Sequence, residues 1–222
     1  MTTPNLTDDS REGISRVCFG DLLAVPITRH WSNPNSATFS MKPALELAQK
    51  YLAASKCSID PFARNSRLAT HRNDLNPDTE AEHHMDALDF LKMLASKGVK
   101  ADLIIFDPPY SRAQVKEVYN GIGRHYGAKD TQDHSTNWRA ERDEADKLLE
   151  IGGVVLSCGW NSNGMGLRRG YWPEEIRMIR HGGAHNDTII IVERKQPPEA
   201  TLWTANAPHS THPRLRPRSD GS

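Results

Sequence analysis

The chain has 222 residues, a length that suits one domain with a substantial buried core. Lysine plus arginine and aspartate plus glutamate balance at 28 each, which excludes a globally basic nucleic-acid-coating protein and leaves only local patches for that purpose. Cys18, Cys57 and Cys158 are far apart, with neither metal-ligand nor disulfide-framework spacing, and no apolar run approaches the roughly 20 residues that span a bilayer. A reducing, cytoplasmic setting is expected, with no metal and no membrane.

Residues 1–15 are polar and turn-rich, unlike a signal peptide, and are expected to form a mobile arm. Arg16 to Val25 fits a short strand or a helix equally. Pro26 to Phe39 reads as irregular, with Trp31 and Phe39 as anchors onto the domain. A helix follows, with Ser40 as N-cap, Pro43 in the first turn, and Leu45, Ala48, Tyr51 and Leu52 on its apolar face. Lys42 sits at its mouth.

Cys57 to Phe62 reads as a short strand ending in an acidic turn, and Arg67 to His71 as the next strand, closed by the turn-forming cluster Asn73-Asp74-Leu75-Asn76-Pro77. Thr79 to Gly98 is expected to be largely helical with a break near Met85-Asp86. The run Leu103 to Phe106 is short, apolar and rich in strand formers, as in a strand buried on both faces of a parallel sheet. It ends in Asp107-Pro108-Pro109-Tyr110, where two prolines forbid both strand continuation and an immediate helix. Asp107 and Tyr110 are thus held on a stiff tetrapeptide at the carboxyl edge of a sheet, where open α/β sheets bind ligands.

Ser111 to Asn137 is polar, with a short helix through Val115 and Val118 and a long glycine-rich centre. Trp138 to Glu150 is a charged amphipathic helix, Val154 to Cys158 a buried strand, and Gly159 to Gly170 a loop. Ile176 to Ile179 and Thr188 to Val192 form a late hairpin around Gly182 to Asp187. Residues 196–222 are expected to be a disordered tail, leaving residues 16–195 as the folded domain. His181 and His185 are spaced HxxxH on a glycine-rich turn rather than a helix, so they read as turn histidines, not metal ligands. The order of elements predicts a three-layer, Rossmann-like α/β fold with a mostly parallel sheet and an antiparallel late hairpin strand.

Asp107-Pro108-Pro109-Tyr110 resembles the catalytic motif of the amino-methyltransferases, S-adenosylmethionine-dependent enzymes that methylate an exocyclic amine of a DNA base. Four further segments resemble family motifs in compatible order. They are Phe39-Ser40-Met41-Lys42-Pro43, the cofactor loop Asp60-Pro61-Phe62-Ala63, the acidic turn Asp74-Leu75-Asn76-Pro77, and the segment Met85-Asp86-Ala87-Leu88-Asp89-Phe90-Leu91 on the adenine side of the cofactor. The likeness spans roughly Phe39 to Lys195 and implies the methyltransferase version of this fold. It implies that Asp74 accepts from the ribose hydroxyls, Asp86 from the cofactor's adenine amine, that Phe62 contacts the cofactor, that Lys42 lies near its methionine carboxylate, and that Pro43 and Ala87 also belong to the cofactor site. At the catalytic motif it implies that Asp107 and the Pro108 carbonyl hold the two hydrogens of the target amine, and that Tyr110 stacks on a flipped base.

Aspartate at the first motif position implies DNA adenine-N6 methylation in a small phage- or mobile-element-like member, with N4-cytosine methylation as the alternative. Target reading falls to Ser111 to Asn137, to the loop carrying Trp160, Asn161, Asn163, Arg168 and Arg169, or to a partner subunit. The likeness departs after Asp60-Pro61-Phe62, where the family places glycines and this chain has Arg64 and Ser66, with Asn65 between them as the residue suited to a left-handed conformation. That departure motivates a further alternative, a catalytically silent nucleic-acid-binding subunit of the same fold.

Overall fold

The computed structural model describes residues 15–19, 23–123, 138–183 and 185–198, with the backbone alone for 15–19, 23 and 24. The expected arm up to residue 14, the centre of the loop before Trp138 and nearly all of the expected tail lie outside the described residues, whereas Ser15, expected in the arm, opens the first strand.

One eight-stranded sheet organises the chain. In chain order the elements are β1 (Ser15–Phe19), β2 (Leu23–Trp31), α1 (Lys42–Leu52), β3 (Ser58–Asp60), β4 (His71–Arg72), α2 (Ala87–Ser96), β5 (Ala101–Phe106), α3 (Arg112–Gly121), α4 (Arg139–Leu148), β6 (Leu149–Gly159), β7 (Tyr171–Arg180) and β8 (Thr188–Lys195). The spatial order is β1-β2-β7-β8-β6-β5-β3-β4. β4, β3, β5 and β6 are mutually parallel, β8 runs antiparallel to both β6 and β7, β2 is parallel to β7, and β1 is antiparallel to β2. This is the expected Rossmann-like α/β sheet with its antiparallel late strand.

Alternation along β5 divides the core into two layers. Ile104 and Phe106 face Phe90, Leu91 and Leu94 of α2 and Ala145 and Leu148 of α4, whereas Leu103 faces Ala44, Leu47 and Ala48 of α1. Helices therefore cover both faces, which explains why β5 reads as a continuous apolar run. Among the described residues no helix is long and apolar enough to cross a membrane.

Four expectations are corrected. The stretch from Pro26 is strand, not irregular: β2 pairs with β1 through residues 23–27 and with β7 through residues 27–31, so Pro26 lies where β1 alone is the ladder partner. Trp31, expected as an anchor, is 65% exposed, whereas Phe39 does pack on the core. Residues 79–86 are not helical, because α2 starts at Ala87 with Asp86 as its N-cap, Oδ1 accepting from Leu88 N at 2.9 Å. Helix α1 likewise begins one residue later than expected. Met41 is its N-cap, and small Ala44 and Ala48 flank Leu47 against the sheet.

Candidate functional site

β3 lies beside β5, while β4 continues on the far side of β3 and β6 on the far side of β5. The order in which strands are added thus reverses between the parallel neighbours β3 and β5, and the turns leaving their carboxyl ends diverge to leave a crevice. A cleft of about 820 Å³ opens there, bounded by Pro61 and Phe62 after β3, Asp74 after β4, Asp86 and Ala87 at the mouth of α2, and Asp107 to Tyr110 after β5. Trp138, Trp160, Thr38 and residues 34–36 also line it, as do His181, His185 and Thr188.

Asn73, fully buried, fixes the geometry of two of those walls. Its side-chain amide donates to Pro61 O (3.2 Å) and Met85 O (3.0 Å), and its Oδ1 accepts from Met85 N (3.2 Å). Its backbone donates to Asp60 O and accepts from Ala63 N. Sequence reading saw Asn73 only as a turn former; a buried amide can satisfy three groups of the two loops at once. Asp60, 1% exposed, sits beneath the cleft and accepts from Phe62 N at 3.0 Å. Burial holds its carboxyl well above the usual carboxylate range, and the charges of Asp107 and Asp74 push it the same way.

At the β5 end, Tyr110 Oη donates to Asp107 Oδ1 at 2.5 Å and lies 3.0 Å from Thr38 Oγ1, while Tyr110 N donates to Gln114 Oε1 at 2.6 Å. Burial raises the Asp107 carboxyl, opposed by hydrogen bonds from Tyr110 and Thr38, by the charge of Arg64 and by the Cys158 thiol. The Tyr110 ring meets Trp160 edge-to-face at 5.8 Å between centroids. Phe62 packs edge-on against Phe106 at 5.4 Å and Trp138 at 5.2 Å, leaving part of its ring at the cleft.

Asp74 spends an oxygen on each of two backbone donors, Arg64 N (3.0 Å to Oδ2) and Asn76 N (2.9 Å to Oδ1). A carboxylate has lone pairs left over for a ligand hydroxyl. Arg64 holds a left-handed conformation, φ 51°, so the left-handed residue of this loop is Arg64 and not Asn65. Its guanidinium reaches across the cleft mouth, Nη1 donating to Ser36 O at 2.6 Å.

The sequence-expected residues divide in two. Pro61, Phe62, Asp74, Asp86, Ala87, Asp107, Pro108, Pro109, Tyr110 and Trp160 come together around the cleft. Asp60 and Ala63 are buried just below it. Lys42 stands apart, its side chain 86% exposed and 3.8 Å from Glu46. Pro43 is buried in the first turn of α1, where its carbonyl accepts from Arg177. Asn161 accepts from Asn163 N, the Asn163 carbonyl accepts from Arg142, and Arg169 is tied to Asp143 at 2.7 Å; with exposed Arg168 they lie outside the cleft. His181 is a structural bridge between Ser32 O and Thr188 Oγ1, both at 2.9 Å. No cluster able to hold a metal occurs among the described residues.

Thr38, Arg64, Gln114 and Trp138 were absent from the sequence-derived site. Thr38 and Trp138 arrive from elements distant in the chain, so no local pattern marks them.

Solved structures similar to this chain include NSun6 from Pyrococcus horikoshii with SFG, at 16% identity over 68% of this chain and 51% of that one, with a TM-score of 0.44. TrmN from Thermus thermophilus matches at 16% identity over 70% and 49%, with a TM-score of 0.40. The N-methyltransferase NodS from Bradyrhizobium japonicum WM9 matches at 13% identity over 70% and 98%, with a TM-score of 0.41. The chain spans about half the length of the first two. Similarity at this level says nothing about substrate. No protein-family model matches the chain, and no curated protein does.

Proposed function

We propose that the chain is an S-adenosylmethionine-dependent methyltransferase acting on the exocyclic N6 of adenine in DNA. The observation that carries this reading is the pairing, at one end of a single cleft, of the Asp107-Pro108-Pro109-Tyr110 turn with acidic turns carrying Asp74 and Asp86. The lining suits the cofactor chemically. Asp74, Asp86 and Asp107 favour a sulfonium cation and supply acceptors for ribose hydroxyls and an adenine amine, and Phe62 offers an aromatic edge.

S-adenosylmethionine supplies an electrophilic methyl group, so no covalent enzyme intermediate is needed. Asp107 Oδ1 and the Pro108 carbonyl accept the two hydrogens of the target amine, which favours a pyramidal nitrogen whose lone pair points along the transfer axis. The phenol proton of Tyr110 now occupies Asp107 Oδ1 in the way an amine hydrogen would. On substrate entry the amine replaces it, and Tyr110 with Trp160 forms an aromatic slot for the flipped base. The raised carboxyl of Asp107 is suited to take up the proton that the methylated amine sheds. The acidic cleft repels phosphate, so the DNA backbone runs outside it and only the base enters.

The test is mass spectrometry of nucleosides released from plasmid DNA incubated with the protein and S-adenosylmethionine. N6-methyladenine is the expected product. N4-methylcytosine in its place transfers the reading to the other amine, and absence of any methylated base overturns it.

A further inference from the structure

Arg64 is the feature that the proposed function leaves unexplained. The cleft is strongly acidic, lined by Asp74, Asp78, Asp86, Asp107 and Glu117, and Arg64 is the one arginine or lysine among its described lining residues. Among the described residues it makes no ion pair with a carboxylate; its guanidinium donates to the Ser36 carbonyl at 2.6 Å. Its backbone stands in the left-handed region, φ 51°, a conformation that disfavours side chains. Such a position is normally given to glycine, so the arginine is kept there against a backbone penalty. What holds it is the bond from its N–H to Asp74 Oδ2, at 3.0 Å.

We propose that Arg64 binds the carboxylate of the cofactor's methionine moiety, a role resting on the cofactor assignment above. Three positions locate it. Asp74 marks the ribose, Asp107 marks the reacting methyl group, and Arg64 joins the two, its N–H on Asp74 and its charge near enough to Asp107 to act on that carboxyl. The amino-acid arm is the third substituent of the sulfur that joins the ribose to the methyl group, so its carboxylate lies within a few bonds of both markers, within reach of a side chain as long as arginine. An anion in this acidic cleft is repelled unless it meets a fixed cation, and a guanidinium offers a planar pair of donors matched to a carboxylate. Lys42 does not fill this role, because it is not among the residues lining the cleft and its ammonium lies near Glu46.

The test is isothermal calorimetry with S-adenosylmethionine and with decarboxylated S-adenosylmethionine, which lacks only the carboxylate. Wild type is expected to prefer the first by roughly tenfold or more, the usual worth of a charged hydrogen bond. Arg64→Gly suits the left-handed backbone, and Arg64→Gln keeps a polar side chain of similar length; both are expected to lose most of that preference while binding the decarboxylated ligand as wild type does. If Arg64 merely obstructs a glycine position, Arg64→Gly binds S-adenosylmethionine as tightly as wild type or more so, and the proposal is overturned. Loss of the preference in Lys42→Gln with the Arg64 variants unaffected overturns it equally. Failure of wild type to bind either ligand defeats the cofactor assignment itself, and this inference with it.

Discussion

The carboxyl group of Asp107 sits between opposing influences. Burial raises it, and the hydroxyls of Tyr110 and Thr38 together with the Arg64 charge pull it down. If the ionised form holds the target amine, the rate falls on the acid side with a midpoint above the ordinary aspartate value of about 3.9. Tyr110→Phe removes one of the bonds that stabilise the carboxylate in the free enzyme, so the acid limb of the kcat/KM pH profile is expected to move to higher pH. An unmoved limb would separate Tyr110 from Asp107 in function. Asp60 makes a different point. Its folded carboxyl is raised, so the folded state holds a proton that the unfolded state has released, and stability falls as pH rises above the unfolded carboxylate value. Asp60→Asn keeps an acceptor for Phe62 N without the charge. Urea melts at about pH 5 and about pH 8 are expected to show the variant gaining on wild type at the higher pH. An equal loss at both would contradict this origin.

Between residue and domain, the loops that shape the cleft are braced by single buried groups. Asn73→Ala strands Pro61 O, Met85 O and Met85 N, and is expected to destabilise by about 1–3 kcal/mol in chemical denaturation, with no change in the position of the unfolded baseline. The loop behind Trp160 depends on Glu193, which accepts from Met165 N and Gly166 N. A Cβ at Gly164 would lie 1.8 Å from Glu193 Oε2. The carboxylate tip is flexible in principle, but here it is buried and doubly bonded, so Gly164→Ala is expected to lower the melting temperature by several degrees and to perturb Trp160 fluorescence. β5, the buried core of β6 and the β7–β8 hairpin were legible in the sequence because both faces of those strands are apolar or bounded by turn residues. β2 was not, since Pro26 and the polar residues around it make sense only once β1 and β7 are known to take different halves of the strand. The segment 79–86 misled for a related reason. Its helical pattern was overridden by the hydrogen bonds that Asn73 makes to Met85 and by the Asp86 cap.

At the scale of the whole molecule, the sheet order explains why motifs far apart in the chain meet. The turns after β3, β4 and β5 all open on the same edge, because those strands are parallel neighbours. That much followed from motif order alone, and so did the gathering of Asp74, Asp86 and Asp107. The place of Lys42 did not follow, because its side chain lies 86% exposed beside Glu46, a local contact that the motif does not reveal. Nor did the conformation of Arg64, since a missing glycine in sequence does not reveal that an arginine has adopted glycine's backbone angles.

The central claim is that the Asp107 carboxylate holds the amine that receives the methyl group. It is tested most directly by tritiated-methyl transfer to plasmid DNA with wild type and Asp107→Ala, alongside calorimetric binding of S-adenosylmethionine to both. Transfer is expected to fall by about 10²-fold or more while cofactor affinity and the circular-dichroism spectrum stay close to wild type. Full transfer activity in Asp107→Ala would contradict it.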